Sequence, residues 1–403
     1  MEQVFDTVER CSGCAACAYV CPRDAIRLQE DEYGYRYPVI DREKCIDCCR
    51  CAATCHFRHP LERNAVKACL AGQSRDERQL KASSSGGIFP ALAKRFLQDG
   101  GVVCGAAMSF EEDGPTVRHV LVDRVEDLPK LQGSKYVQSR MDEIYAAIGE
   151  RLKQGSKVLF SGTPCQVAAV KRVFSRQEDR LFCVDIVCHG VPSERSFRDY
   201  IALEEKRTGA SIRNVTFRDK NKGWGHRGSY TEVRKEGEKQ KDFSPQASSY
   251  FHFFLDGELC RESCYACPYA NTARIGDLTL GDYWGIDRFD PELLTGSGGP
   301  MKKELGVSCI LVNTEKGNAM LQSVETEVQT YPVEIDHLLV VNTQLREPAK
   351  HSKKRDKILA AYKENGYSGV DKLFRPEYRI WRLKKIVKKI VKKILPPDLI
   401  KKL

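Results

Sequence analysis

The sequence predicts a chain of α+β and α/β character in three parts: a small N-terminal module built on a duplicated cysteine run, a larger mixed α/β domain, and a C-terminal amphipathic helix. Three observations carry this. Cys11, Cys14, Cys17 and Cys21 follow a C-x2-C-x2-C-x3-C spacing with Pro22 directly behind, and the spacing returns at Cys45, Cys48, Cys51 and Cys55. From Ala82 onward, short apolar runs alternate with helical periodicities, the texture of a partly parallel sheet covered by helices. After Phe374, apolar residues recur every three to four positions beside paired lysines.

The cysteine spacing is that of a bacterial-type ferredoxin carrying two [4Fe–4S] cubes. Three thiolates on one tight loop cap three iron corners, and the fourth comes from a distant segment. In the two-cluster arrangement the fourth cysteine of each run crosses over. The spacing therefore predicts a ferredoxin-like module with one cluster on Cys11, Cys14, Cys17 and Cys55, and another on Cys45, Cys48, Cys51 and Cys21. Structural zinc, which usually takes two separated CxxC pairs, and disulfides are the weaker alternatives.

The module is read as residues 1–62, with residues 33–40 forming a turn and a strand between its halves. Residues 63–81 are polar and charged with helical character, and read as a connector. The large domain covers 82–375. Within it, residues 88–98 have helical spacing and stop at Gly100-Gly101. Residues 102–104 and 117–122 read as strands, and 144–153 as a helix. Residues 157–160 form a buried strand running into SGTPC, and 182–187 another running into CHG. The stretch 250–290, rich in aromatics, Gly and Asp, reads as loop-heavy and functional. Residues 376–403 form the tail.

Composition bounds the class. The chain has 18 cysteines, and MEQVFDTVER has no export signal, which points to thiolate metal ligands in a reducing cytosol. No apolar run is long enough to span a bilayer. The net charge of +10 comes almost wholly from residues 379–403, where ten lysines and arginines face Asp398 alone. A globular nucleic-acid-binding face is therefore not supported.

Further cysteines sit at strand ends and in one downstream cluster. Cys165 lies in GTPCQ, Cys188 in VCHG, and Cys260, Cys264 and Cys267 precede Pro268. A lone CxxC reads equally as a redox pair or a zinc half-site. Beside two cysteines at the carboxyl ends of neighbouring strands, where α/β sheets place their chemistry, it reads as a third [4Fe–4S] site. The expected ligands are Cys165, Cys188, Cys264 and Cys267, with Cys260 as the substitute. Cys49, Cys69, Cys104, Cys183 and Cys309 have no ligand spacing and read as buried small hydrophobes. Ser83-Ser84-Ser85-Gly86-Gly87 precedes a helix and reads either as a pyrophosphate site at its positive end or as a flexible linker. Gly133-Ser134-Lys135-Tyr136 adds a cation and an aromatic. No GxGxxG follows a strand. His189, His226 and His252 read as proton donors or as hydrogen-bonded residues of the fold.

Taken in order, SSSGGIFPALA, LQGSKYVQS, FSGTPCQVAAV, VCHGVPS, VTFRDKNKGW, SCYACPYA, LTLGDYWGI and GVSCILVNTEKG resemble the successive motifs of the coenzyme F420 hydrogenase/dehydrogenase beta-subunit family. The resemblance covers roughly residues 1–375. It implies a flavin- and iron–sulfur-dependent oxidoreductase that moves electrons between a two-electron carrier, such as a deazaflavin, and one-electron clusters through FAD. It further implies FAD contacts from Ser85, Gly86 and Gly87, from Gly133, Ser134, Lys135 and Tyr136, and from Gly162, Thr163 and Pro164. The cysteines of GTPCQ, VCHG and SCYAC would hold the domain's own cluster. Two features depart from the pattern: Cys55 is followed by His56 instead of proline, which bears on loop rigidity, and the tail has no counterpart in the hydrogenase subunits. Bacterial members of this texture resemble stand-alone proteins associated with surface-polysaccharide synthesis.

In the tail, Ile380, Leu383, Ile386, Val387, Ile390, Val391, Ile394 and Leu395 form one stripe. The lysines at 384, 388 and 392, and at 385, 389 and 393, are like-charge pairs that each cost an isolated helix roughly 0.2–0.5 kcal/mol. An anionic lipid surface relieves that repulsion at about 1 kcal/mol per nearby cation. The helix is expected to lie in the interface with Trp381 at its edge, and to end at Pro396-Pro397. Packing on its own domain, or on an acidic partner, is the alternative. The expected protein is thus cytoplasmic and peripheral at the inner face of the membrane. It exchanges electrons with a redox partner protein or ferredoxin; a non-catalytic relay subunit is the rival reading, and a scaffold with redox-silent clusters a third.

Overall fold

The computed structural model describes the backbone of residues 3–394 and the side chains of residues 3–383. The N-terminal module is built on β1 (Ile26–Glu30) and β2 (Arg36–Ile40), paired antiparallel with Ile26 opposite Ile40. A short helix follows each cysteine loop, at Ala16–Tyr19 and at Arg50–Thr54, and each begins after a residue with positive φ, Ala15 and Cys49. The duplicated spacing is therefore a duplicated loop-to-helix turn.

The large domain contains β3 (Ala68–Ser74), β4 (Val102–Glu111), β5 (Gly114–Val122), β6 (Val158–Gly162), β7 (Leu181–Ile186), β8 (Ser211–Thr216), β9 (Gly228–Arg234), β10 (Gly237–Phe243), β11 (Leu278–Asp282), β12 (Ser308–Val312) and β13 (Val328–Pro332). Eight of these form one mixed sheet in the order β13-β3-β12-β11-β7-β6-β4-β5, and β8, β9 and β10 form a separate antiparallel sheet. The centre, β4, β6, β7 and β11, is parallel, and both flanks are antiparallel. Strand periodicity explains why β6 opens with three consecutive buried apolar residues, Val158, Leu159 and Phe160. Val158 and Phe160 enter a core with the helices Ile144–Lys153 and Pro164–Val173. Leu159 points the other way, into a core with the helix Ile88–Gln98. The carboxyl ends of the parallel strands all open on one edge, and the site lies there.

Two sequence readings need correction. The segment read as a helical connector holds β3, a strand between β12 and β13, and is helical only over Glu77–Ala82. Its pattern is masked by small and polar residues buried for specific reasons. A Cβ on Gly72 would meet Ile310 Cδ1 at 2.4 Å. Gln73 is buried because its amide donates to the carbonyls of Lys302 and Gly306, both at 2.8 Å. The stretch 250–290 is likewise less loop-like than expected: it begins in the buried helix Ser249–Leu255 and includes β11.

The C-terminal helix, Lys353–Ile394, is interrupted at Gly366 and starts well before residue 376. Ile358, Tyr362, Val370 and Phe374 are buried against Phe197, Tyr250 and Phe253. Glu377 still reaches back to His252 at 2.7 Å. Beyond that point Ile380 and Leu383 are 54% and 62% exposed, so the first two positions of the apolar stripe lie uncovered. The side chains from Lys384 onward, and Leu395, Pro396 and Pro397, lie outside the described residues. Among the described residues no helix is long and apolar enough to cross a membrane.

Candidate functional site

The structure brings the cysteines into three groups. Burial pushes the thiols of Cys11, Cys14 and Cys17 up, and Cys55 acts on all three. Cys51 is raised by burial and by Cys48 and Cys21. The fourth cysteine of each run thus faces the loop of the other run. Backbone N–H groups of Gly13, Ala16 and Ala18 point at Cys11, Cys14 and Cys17, the donors that an anionic sulfur cage requires. The outer group opens on the surface, with Cys48 exposed. Cys49, expected to be a buried hydrophobe, is also exposed; its backbone has positive φ at the start of the helix Arg50–Thr54. Cys104, Cys183 and Cys309 are buried, and Cys69 is half-buried.

The inner group is packed against the large domain. Tyr145 Oη donates to the Cys14 carbonyl at 2.7 Å. His56 bridges Ser12 Oγ (3.1 Å) and Tyr269 Oη (2.8 Å), and burial pushes its pKa down to about 4. The residue that replaces proline after Cys55 is therefore a neutral hydrogen-bonding stitch between module and domain, which the spacing gave no means to foresee.

In the third group, Cys165 lies in the first turn of the helix that follows β6, behind a Thr163/Gln166 capping box. Cys188 follows β7, and Cys264 and Cys267 bracket the end of the short helix Glu262–Tyr265. All four thiols are raised chiefly by burial. Cys188 also responds to Cys165 and Cys267, and Cys264 to Cys188, Cys267 and Cys165. Cys260 stands beside Cys264 with Sγ 3.8 Å from the His189 carbonyl. Among the described residues no three His, Cys, Asp or Glu side chains close to the spacing of one metal ion.

A cavity of about 600 Å³ opens at the carboxyl edge of the sheet, within the range of small-molecule sites. Ser85 and Gly87, then Gly133, Ser134, Lys135 and Tyr136, then Gly162 and Thr163 line it, as do Cys188 and His189. Ser134 N donates to Ser84 Oγ at 2.7 Å, joining the first two loops. Gly87 has φ +73 and starts the helix Ile88–Gln98, a conformation that favours glycine. Gly86 and Pro164, expected at the cofactor, do not line the cavity. Gly86 is packed against β3, where a Cβ would meet the Gly72 carbonyl at 2.1 Å, and Pro164 is buried at a helix start.

The cavity wall, and the residues just behind it, include several that the sequence reading left without a role; Arg218, Asp282, Trp284 and His119 line it, and Lys220 and Trp224 lie behind. Arg218 is buried, and pairs with Asp282 at 2.6 and 3.1 Å. It donates to Tyr136 Oη at 3.3 Å and to the Ser84 carbonyl at 3.1 Å, and lies 4.9 Å from the Trp284 ring. Trp284 stacks on Trp224 at 4.5 Å. Lys220 Nζ donates to the carbonyls of Leu80, Ser85 and Leu305, which pins the SSSGG loop. That loop is therefore held at several points and is not a flexible linker. His119, on β5, bonds Ser139 and the Ser161 carbonyl. The available signal was the charge and tryptophan density of FRDKNKGW and GDYWG. His189 and His226 line the cavity, while His252 does not and pairs with Glu377.

Comparison with known proteins agrees with this architecture. Two profiles describe the N-terminal and C-terminal parts of the coenzyme F420 hydrogenase/dehydrogenase beta subunit, and they match residues 69–145 and 155–336 respectively. The chain belongs to the coenzyme F420 hydrogenase/dehydrogenase beta-subunit family. A 4Fe-4S dicluster domain matches residues 10–58, so this family member carries an iron–sulfur module at its N-terminus. The N-terminal match takes in nearly all of β3, placing that strand in the family's own domain. An uncharacterized protein of Methanocaldococcus jannaschii is 29% identical over 214 residues; the alignment covers 45% of this chain and 57% of that protein's length. A chain of the F420-reducing [NiFe] hydrogenase complex from Methanosarcina barkeri is similar at 18% identity and a TM-score of 0.46, covering 71% of this chain and 92% of that one.

Proposed function

We propose that this family member is an iron–sulfur flavoprotein oxidoreductase that links one-electron carriers at its surface to an organic two-electron substrate in the cavity. The observation that carries the reading is the succession of thiol groups. The outer one is exposed at Cys48, the inner one touches Tyr145 of the large domain, and the third contributes Cys188 to the cavity wall. Cys45, Cys48, Cys51 and Cys21 would hold one cube, Cys11, Cys14, Cys17 and Cys55 the next, and Cys165, Cys188, Cys264 and Cys267 the third. FAD bound along Ser85, Gly87, Gly133, Ser134, Lys135, Tyr136, Gly162 and Thr163 would supply the exchange between paired and single electrons. The positive end of the helix Ile88–Gln98 and the Lys135 ammonium suit its pyrophosphate. The motif texture supports a substrate from surface-polysaccharide metabolism, and the family's name supports a deazaflavin. The same name favours a second reading, a relay subunit feeding a partner enzyme. The purified chain, given reduced ferredoxin or dithionite and a two-electron acceptor, should turn over with no other protein added. Cluster reduction with no turnover until a partner is supplied would decide for the relay.

Lys135 makes flavin binding pH-dependent. Burial pushes its pKa down to about 7. A bound phosphate raises that pKa again, so binding takes up a proton when the free ammonium is neutral. Affinity should hold below pH 7 and fall as the pH rises through and above it, by up to about tenfold per unit. Flavin titration into the deflavinated protein between pH 6 and 9 checks this; a flat profile removes Lys135 from the phosphate site.

The uncovered stripe at Ile380 and Leu383, continued by the lysine pairs, supports attachment to an anionic membrane from the cytoplasmic side. Because Glu377 pairs with His252 and Tyr378 packs against the core around Phe253, truncation is best made after Arg382. The shortened protein should no longer float with anionic vesicles, yet should keep its clusters and flavin. Flotation of the truncated chain would contradict the proposal.

A further inference from the structure

Three arginines are buried to less than 2% exposure, Arg261, Arg274 and Arg355. A charge taken out of water needs an opposite charge nearby. Arg274 has Asp185 at 2.7 Å, and Arg355 has Glu262 at 2.5 Å. Among the described residues no carboxylate pairs with Arg261. Its guanidinium donates instead to the carbonyls of Cys11 (2.7 Å) and Arg36 (2.9 Å) and to Gln138 Oε1 (3.2 Å). Nη2 lies 3.8 Å from Cys11 Sγ, and the cation sits 4.1 Å from the Tyr37 ring. Gly13 makes the approach possible: a Cβ there would stand 2.9 Å from Nη1. The charge acts on Cys11 of the inner group and on Cys165 and Cys264 of the third; Asp31 feels its field without touching it.

We propose that Arg261 is the positioning cation between the inner and third iron–sulfur centres, its missing counter-charge being the thiolate-bound clusters, and that it raises their reduction potentials relative to the outer centre. This rests on the cluster assignment above. In a buried, low-dielectric setting a fixed positive charge favours the reduced, more negative form of each cube, and N–H donors to sulfur act in the same sense. In the outer group, Cys51 responds to Cys48 and Cys21 and not to Arg261, so that group receives little of it. A cation so placed eases the transfer of an electron from the surface inward.

The test is a potentiometric titration, followed by EPR, of the anaerobically purified full-length protein and two variants. Arg261→Gln removes the charge. Gln138→Glu keeps the guanidinium but sets a carboxylate beside it, so it neutralises the charge even if the first variant fails to load iron. The expected result is a shift of the inner midpoint, and to a lesser degree the third, to more negative potential in both variants, with the outer midpoint unmoved. Unchanged midpoints at full iron content, or a common shift of all three, overturn the proposal. Failure of the cluster assignment itself reads differently: the unmutated protein would then lack the corresponding EPR signals.

Discussion

Serine at both Cys264 and Cys267 should remove about four of the roughly twelve irons that three cubes require, and should leave the ferredoxin-type module loaded. These two residues come from one short segment, whereas Cys165 and Cys188 each follow a different strand of the sheet. Their loss leaves Cys165 and Cys188, with Cys260 as the one further thiol beside them, one short of the four a cube takes. The residual centres should still accept electrons from dithionite, but reduction of the flavin proposed for the cavity should fall by orders of magnitude, since the third group contributes the cysteine in the cavity wall. Iron content and stopped-flow reduction check both parts. Unchanged iron would remove the third centre, and unchanged flavin reduction would remove it from the electron path.

The second large effect is expected at Arg218. Its side chain is 2% exposed and that of its partner Asp282 16%, and Arg218→Met leaves the carboxylate with only the Trp224 N–H, at 3.1 Å. Breaking a buried pair from one side costs several kcal/mol, here about 3 because Asp282 keeps some solvent. The same change frees Tyr136 and Ser84, two of the groups that shape the cavity, so flavin content should fall together with Tm. Replacing both partners, as Arg218→Met with Asp282→Leu, should recover much of the stability because no charge is left stranded, but not the flavin. A single variant with wild-type Tm and flavin would show that the pair is peripheral to the cavity.

The fold and site were legible in the sequence where chemistry forces spacing. Cubane ligation imposes the three-in-a-loop pattern, so Cys11, Cys14 and Cys17, and the crossing of Cys21 and Cys55, follow from the residues alone. The parallel strands β6 and β7 were legible because burial on both faces gives each a short apolar run, residues 158–160 and 181–184. β3 was not, because its carboxyl half holds a glycine fixed by Ile310 and a glutamine fixed by two distant carbonyls. Contacts of that kind leave no periodicity. The same holds for the Arg218–Asp282 pair, 64 positions apart, and for Arg261, which looks like an ordinary residue between Cys260 and Cys264 until its counter-charge is sought. The glycines divide likewise. Gly86 and Gly87 are adjacent in one motif, yet one is required by close packing against β3 and only the other lines the cavity.

The central claim is a continuous path of three iron–sulfur centres ending at a flavin. Anaerobic purification of the full-length chain, with iron, acid-labile sulfide and flavin measured on one sample, tests it most directly. The account predicts about twelve irons, a matching amount of sulfide and about one flavin per chain. About eight irons with no flavin would contradict it, leaving a two-cluster module attached to a domain that carries neither the third centre nor the cofactor.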